Sequence, residues 1–153
     1  MSFYSAFRSI FILSILFVLF SFSTKNELQT VLQEKIWQAP TWADTIKNPF
    51  SNSVENLNNG KAIYHVNCVI CHGENGRGDG ESGFGLETPP RDFMEPAIVN
   101  QSDGAIFWKM SYGKGAMPEF TSKLTKTKRW ELLLYVRELQ RKYAEKKDKR
   151  KFK

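Results

Sequence analysis

Cys68-Val69-Ile70-Cys71-His72 brings two thiols and an imidazole together in C-x-x-C-H spacing. On a helix the thiols lie about one turn apart, so each can form a thioether to a haem vinyl group while the adjacent imidazole reaches the iron from the proximal side. Two rival chemistries use the same atoms. A dithiol redox centre has no need of His72 and comes with a thioredoxin-like βαβ pattern, which this chain lacks. A structural zinc needs four ligands. Cys68, Cys71, His72 and His65 exhaust the Cys and His supply, and they crowd into one short segment instead of forming the separated pairs of usual zinc modules. The pentapeptide is therefore read as the attachment site of one covalent haem c.

An iron that carries electrons, and does not bind gas or substrate, needs a sixth ligand well downstream. Met117 stands in Gly113-Lys114-Gly115-Ala116-Met117-Pro118, where two glycines permit tight turns and Pro118 fixes φ just beyond the methionine. Such a loop holds one side chain still, and a thioether opposite a histidine raises the reduction potential. Met94 and Met110 fit the ordinary role of methionine as core filler. His65, one turn before Cys68, cannot reach the opposite haem face without breaking its helix, and is expected at the surface or the haem edge.

The elements that position these residues read as helices. Ser53 is an N-cap, and Leu57, Gly60, Ile63, Tyr64 and Asn67 recur at helical spacing up to Cys68. Gly60 inside that helix costs about 1 kcal/mol relative to Ala, which makes sense if another helix crosses closely there. A second helix starts at Ser102 or Asp103, carries Ile106, Phe107 and Met110, and stops at Gly113. The last begins after Thr125, with Leu132, Tyr135, Val136 and Leu139 on one face. Tyr64, Tyr135 and Leu132 are the expected contacts where the first and last helices cross. No alternating run supports a β architecture. The fold class is all-α, three or more helices around one haem, and a domain this small needs the cofactor's apolar face to complete its core.

With Pro89-Pro90-Arg91-Asp92-Phe93, Asp103-Gly104-Ala105-Ile106-Phe107-Trp108, Gly115-Ala116-Met117-Pro118 and Arg129-Trp130…Tyr135-Val136-Arg137 added to C-x-x-C-H, the chain resembles a small bacterial class I cytochrome c over residues 53–141. The resemblance implies that Cys68 and Cys71 carry the thioethers and that His72 and Met117 are the axial ligands. It also implies that the carbonyl of Pro90 or Pro89 orients His72, and that Arg91 and Trp108 lie near the propionates.

Six glycines fall between Gly73 and Gly85. There is no preceding strand and no G-K-[ST] ending, so this is no phosphate loop. It also lacks the acidic ladder of a calcium loop. It reads as an Ω-like loop on the proximal side of the haem.

Residues 1–23, with Arg8 as the sole charge and an apolar stretch from Ile10 to Phe20, resemble a signal sequence, the stretch being shorter than the ~20 residues a membrane span needs. The alternative is an uncleaved anchor. Residues 24–52 form a polar leader whose Trp37 and Trp42 point to an extended strap lying on the domain. Residues 142–153 are a basic tail. From Arg141 to Lys153 there are eight Lys/Arg against Glu145 and Asp148, a balance of +6, equal to that of the whole chain. Such an end is either solvated or a docking element. Lys126, Lys128 and Arg129, in the first turn of the last helix, oppose its dipole and mark a candidate basic face.

These readings converge on an electron-transfer protein and not an enzyme. It is expected to be a one-electron carrier of a bacterial respiratory chain, periplasmic or tethered to the outer face of the inner membrane. Its expected partners are redox proteins such as a quinol-oxidising complex and a terminal oxidase or reductase, with membrane association open. Export excludes nucleic acid. The alternatives are a haem c subunit of a larger membrane oxidoreductase complex and a haem enzyme with an open sixth position.

Overall fold

In the computed structural model, which describes residues 37–151, the chain from Val54 onward is read as five α-helices: α1 Val54–Asn67, α2 Val69–His72, α3 Pro96–Val99, α4 Asp103–Tyr112 and α5 Lys126–Lys151. Single 3-10 turns lie at Thr41–Thr45 and Glu81–Gly83. Among the described residues there is no strand, only a bridge between Lys114 and Met117. The expectations for 1–23 and for the leader up to residue 36 lie outside the described residues.

The caps follow from the side chains. Ser53 Oγ accepts the amide of Asn56 at 3.1 Å at the start of α1, and Ser102 Oγ accepts that of Ala105 at 3.1 Å at the start of α4, each satisfying an amide that the helix leaves unpaired. Gly113, at φ +65°, ends α4 in a conformation that a side chain would strain.

The core is built where α1 crosses α5. A Cβ on Gly60 would stand 2.1 Å from the Glu131 carbonyl oxygen and 3.0 Å from Tyr135 Cβ, so only a bare Cα lets the helices approach. Tyr64, fully buried, meets the Tyr135 ring at 5.3 Å between centroids. Its hydroxyl donates to the Gly73 carbonyl at 2.6 Å, tying the crossing to the start of the glycine loop. Leu132, Leu133, Val136 and Leu139 of α5 join Phe107 and Met110 of α4 in the same cluster. Met94 packs against it, partly buried.

Ahead of α1, residues from Ala39 belong to the same compact unit and lie across α4 and α5. Asn48 donates to the Trp130 carbonyl at 3.3 Å, and Ser102 donates to Asp44 at 2.5 Å. The side chain that this segment buries is Ala43, whereas Trp42, expected to pack, is 54% exposed. At the far end α5 continues unbroken past residue 141 to Lys151. Arg129 also departs from expectation. Lys126 and Lys128 are exposed, but the Arg129 guanidinium turns inward over the Phe107 ring, 5.2 Å from its centroid, and Phe107 in turn stacks on Trp130 at 3.8 Å.

Candidate haem site

Cys68 closes α1, its amide donating to the Tyr64 carbonyl at 2.8 Å. The amides of Cys71 and His72 both donate to the Cys68 carbonyl, at 3.1 and 2.8 Å. That single turn sets the two thiols one helical turn apart with the imidazole next in line, the arrangement that double thioether attachment requires. Both cysteines are unpaired thiols. Burial first, and then the neighbouring Cys71, pushes the Cys68 thiol up to about 12, so it is no reactive thiolate of the kind dithiol redox centres use.

The glycine loop folds back onto this turn. Gly78 donates to the His72 carbonyl at 2.9 Å and Gly80 to the Cys71 carbonyl at 3.1 Å. A Cβ on Gly80 would lie 2.5 Å from the carbonyl oxygens of both Val69 and Ile70. Phe93 donates its amide to the Gly76 carbonyl at 2.8 Å and lays its ring 4.6 Å from the His72 imidazole.

Burial lowers the His72 pKa, opposed by the Arg91 backbone beside it, so the ring is neutral and able to bind a metal. Its Nδ1 is buried and makes no hydrogen bond within ordinary geometry. The Pro90 carbonyl lies against Gly78, where a Cβ would stand 2.3 Å from its oxygen. The Arg91 side chain is exposed and pairs with Glu95. Trp108 sits on the side of α4 where its ring meets Tyr112 at 5.1 Å, and it is not among the residues packed on the core. His65 is a surface residue, its Nδ1 3.5 Å from Glu74.

Met117 closes a tight turn in which Lys114 and Met117 exchange backbone hydrogen bonds at 3.0 and 3.1 Å. A Cβ on Gly113 would lie 2.4 Å from the Met117 carbonyl oxygen, so the glycine lets the two limbs close. The Met117 side chain packs, partly buried, against the same cluster that Cys68 and Phe93 touch.

Three buried donors on two residues carry no signal in the sequence. Among the described residues, Arg129 Nε and Nη1 and Trp130 Nε1 have no hydrogen-bond partner. Trp130 at the head of a helix reads as an ordinary core position, and only the inward turn of Arg129 over Phe107 brings the two polar groups into the interior together.

The residues present fit a haem c: two thiols and a neutral imidazole on one turn, bare backbone packed over it, and a soft thioether held in a rigid turn. Cys68 and Cys71 would hold it covalently, and when bound it supplies one-electron iron chemistry.

Comparison with known proteins agrees. Residues 55–136 match the family described as Cytochrome C oxidase, cbb3-type, subunit III. The chain is 31% identical over 80 residues to cytochrome c6 of Parathermosynechococcus lividus, covering 52% of this chain and 86% of that one. It is 31% identical over 74 residues to cytochrome c6 of Alaria esculenta, covering 46% and 77%. Its fold matches a chain of the reducing HAO-like protein complex of Kuenenia stuttgartiensis with TM-score 0.54 and 30% identity, over 63% of this chain but only 48% of that one. The chain therefore belongs to the cbb3-type cytochrome oxidase subunit III family of c-type cytochromes, an all-α electron-transfer protein carrying haem c covalently.

Proposed function

We propose that the protein passes single electrons through a six-coordinate haem c in a bacterial respiratory chain, with His72 and Met117 as axial ligands. The observation that carries this reading is the Met117 turn. Its two backbone hydrogen bonds, with Gly113 and Pro118 flanking them, hold a soft sulfur half-buried against the core cluster that Cys68 also touches. A Met/His pair favours ferrous iron and changes little between oxidation states, which suits a carrier better than a catalyst. The chain's own residues keep the His72 imidazole neutral by burying it and fix the Met117 turn.

The reading places the haem domain on the periplasmic side of the inner membrane, free or tethered, receiving electrons from a quinol-oxidising complex and delivering them to a terminal oxidase or reductase. No helix among the described residues is long and apolar enough to cross a membrane. A second reading, a haem subunit of a larger oxidoreductase complex, is favoured by the subunit in the matched family's description and by the complex that holds the structural relative.

The ferric holo-protein should show the weak near-infrared sulfur-to-iron band, and Met117→Ala should abolish it. A wild-type ferric spectrum without that band, together with ready binding of carbon monoxide by the ferrous form, would make the protein a haem enzyme with an open sixth position. Purification from membranes separates the free carrier, which elutes alone, from the subunit, which brings stoichiometric partners.

A further inference from the structure

The second half of α5 does no work for the core. Beyond Gln140 no residue of the helix is buried, yet the helix runs on to Lys151 with seven Lys/Arg against Glu145 and Asp148. Arg141 is taken up by Glu138 and Glu145, Lys142 by Glu138 and Lys151 by Asp148. Lys146, Lys147 and Arg150 make no ion pair among the described residues. They follow Tyr143 at helical spacings of three, four and seven, so all three share its face.

That face meets the haem loop. The Arg77 guanidinium lies over the Tyr143 ring, 4.9 Å from its centroid. Arg77, whose Nε also pairs with Asp92 at 3.2 Å, stands between Gly76, whose carbonyl accepts the Phe93 amide, and Gly78, whose amide donates to the His72 carbonyl. The cations are close enough to lower the Tyr143 pKa, Arg77 first and then Lys147 and Arg150.

We propose that Arg77, Lys146, Lys147 and Arg150, gathered around Tyr143, form a docking surface for an acidic face of a redox partner protein, one backbone hydrogen bond from the proximal ligand. The proposal rests on the electron-transfer reading. An anionic bilayer is the weaker occupant: a helix lying on lipid needs an apolar face, and residues 141–151 offer only Tyr143 and Ala144. A preformed helix, tied to the haem loop at Tyr143, presents its charges in fixed register to a protein surface, where they act on encounter rate and orientation.

The test uses the intact holo-protein, poly-L-glutamate as the acidic polypeptide probe, and phosphatidylcholine vesicles containing phosphatidylserine as the lipid probe. Wild type should bind polyglutamate at low ionic strength and release it as salt rises. The triple variant Lys146→Gln/Lys147→Gln/Arg150→Gln should bind about tenfold more weakly. A control, Lys47→Gln/Lys61→Gln/Lys123→Gln, which removes the same charge from other exposed positions, should lose less than about twofold. Equal losses in the two variants would overturn the surface, and so would vesicles captured in preference to polyglutamate. Redox titration of the same samples separates the two readings: reversible one-electron titration without selective binding sinks the docking surface alone, whereas selective binding without reversible titration sinks the electron-transfer reading.

Discussion

The crossing of α1 and α5 and the loops around Cys68, His72 and Met117 solve the problem of burial in opposite ways. At the crossing the polypeptide completes its own core. Gly60 admits the Glu131 backbone, Tyr64 meets Tyr135, and the buried Glu131 carboxylate accepts from Asn59 at 2.9 Å. Around the attachment turn the chain offers a four-residue helix, a glycine loop and a four-residue turn. These pieces bury little against one another: no residue of the four-residue helix is fully buried, and Met117 is only partly buried. The helices should therefore tolerate loss of the haem better than the loops, and damage on the two sides should read out differently.

The largest effect is expected from the attachment turn. Cys68→Ala/Cys71→Ala should remove covalent haem altogether, seen as loss of the haem stain on a denaturing gel, and with it the ligand-linked part of the stability. If the double variant kept its full haem stain, the thioethers would lie elsewhere. Next comes Met117→Ala. Axial ligands move haem potentials over about 0.8 V across haem proteins, so a fall on the order of 0.1 V is expected. It should come with carbon monoxide binding by the ferrous form and little change in helical content. An unaltered potential would assign the sixth position to another residue.

Damage at the crossing should behave in the reverse manner. Gly60→Ala places a Cβ 2.1 Å from the Glu131 carbonyl oxygen. It should cost about 1–3 kcal/mol by overpacking, read as a lower urea midpoint with the holo-protein's visible spectrum intact. A midpoint equal to wild type would mean that the helices separate more easily than their contact implies. The smallest effect belongs to the far end of α5. Removing residues 145–153 should leave the urea midpoint within about 0.5 kcal/mol of wild type, because no described residue of the helix beyond Gln140 is buried. A larger loss would extend the crossing's cooperativity along the whole helix.

The haem chemistry was legible because it depends on local spacing: a thiol, two residues, a thiol and an imidazole allow few other uses. The three long helices were legible for a related reason, since Ser53, Ser102 and Gly113 act on amides within a few residues of themselves. Even Gly60 announced a crossing, because a glycine inside a helix is costly without a close neighbour. The positions that depend on distant partners were not legible. Trp42 is exposed where Ala43 is buried, because how a strap lies depends on the surface beneath it.

By itself, then, the sequence determined the cofactor, the all-α class, the starts of α1 and α4, the end of α4 and the facing stripes of the main helices, since each rests on interactions within a turn or two of chain. Only the tertiary structure decided that Arg129 turns inward over Phe107, that Arg77 of the haem loop reaches Tyr143, and that the basic end of α5 stands as a helix clear of the core. Those outcomes depend on which surfaces meet after the chain has folded. Side-chain pairs as far apart as residues 77 and 143 are set by the geometry of the helix crossing, and spacing along the chain carries no record of it.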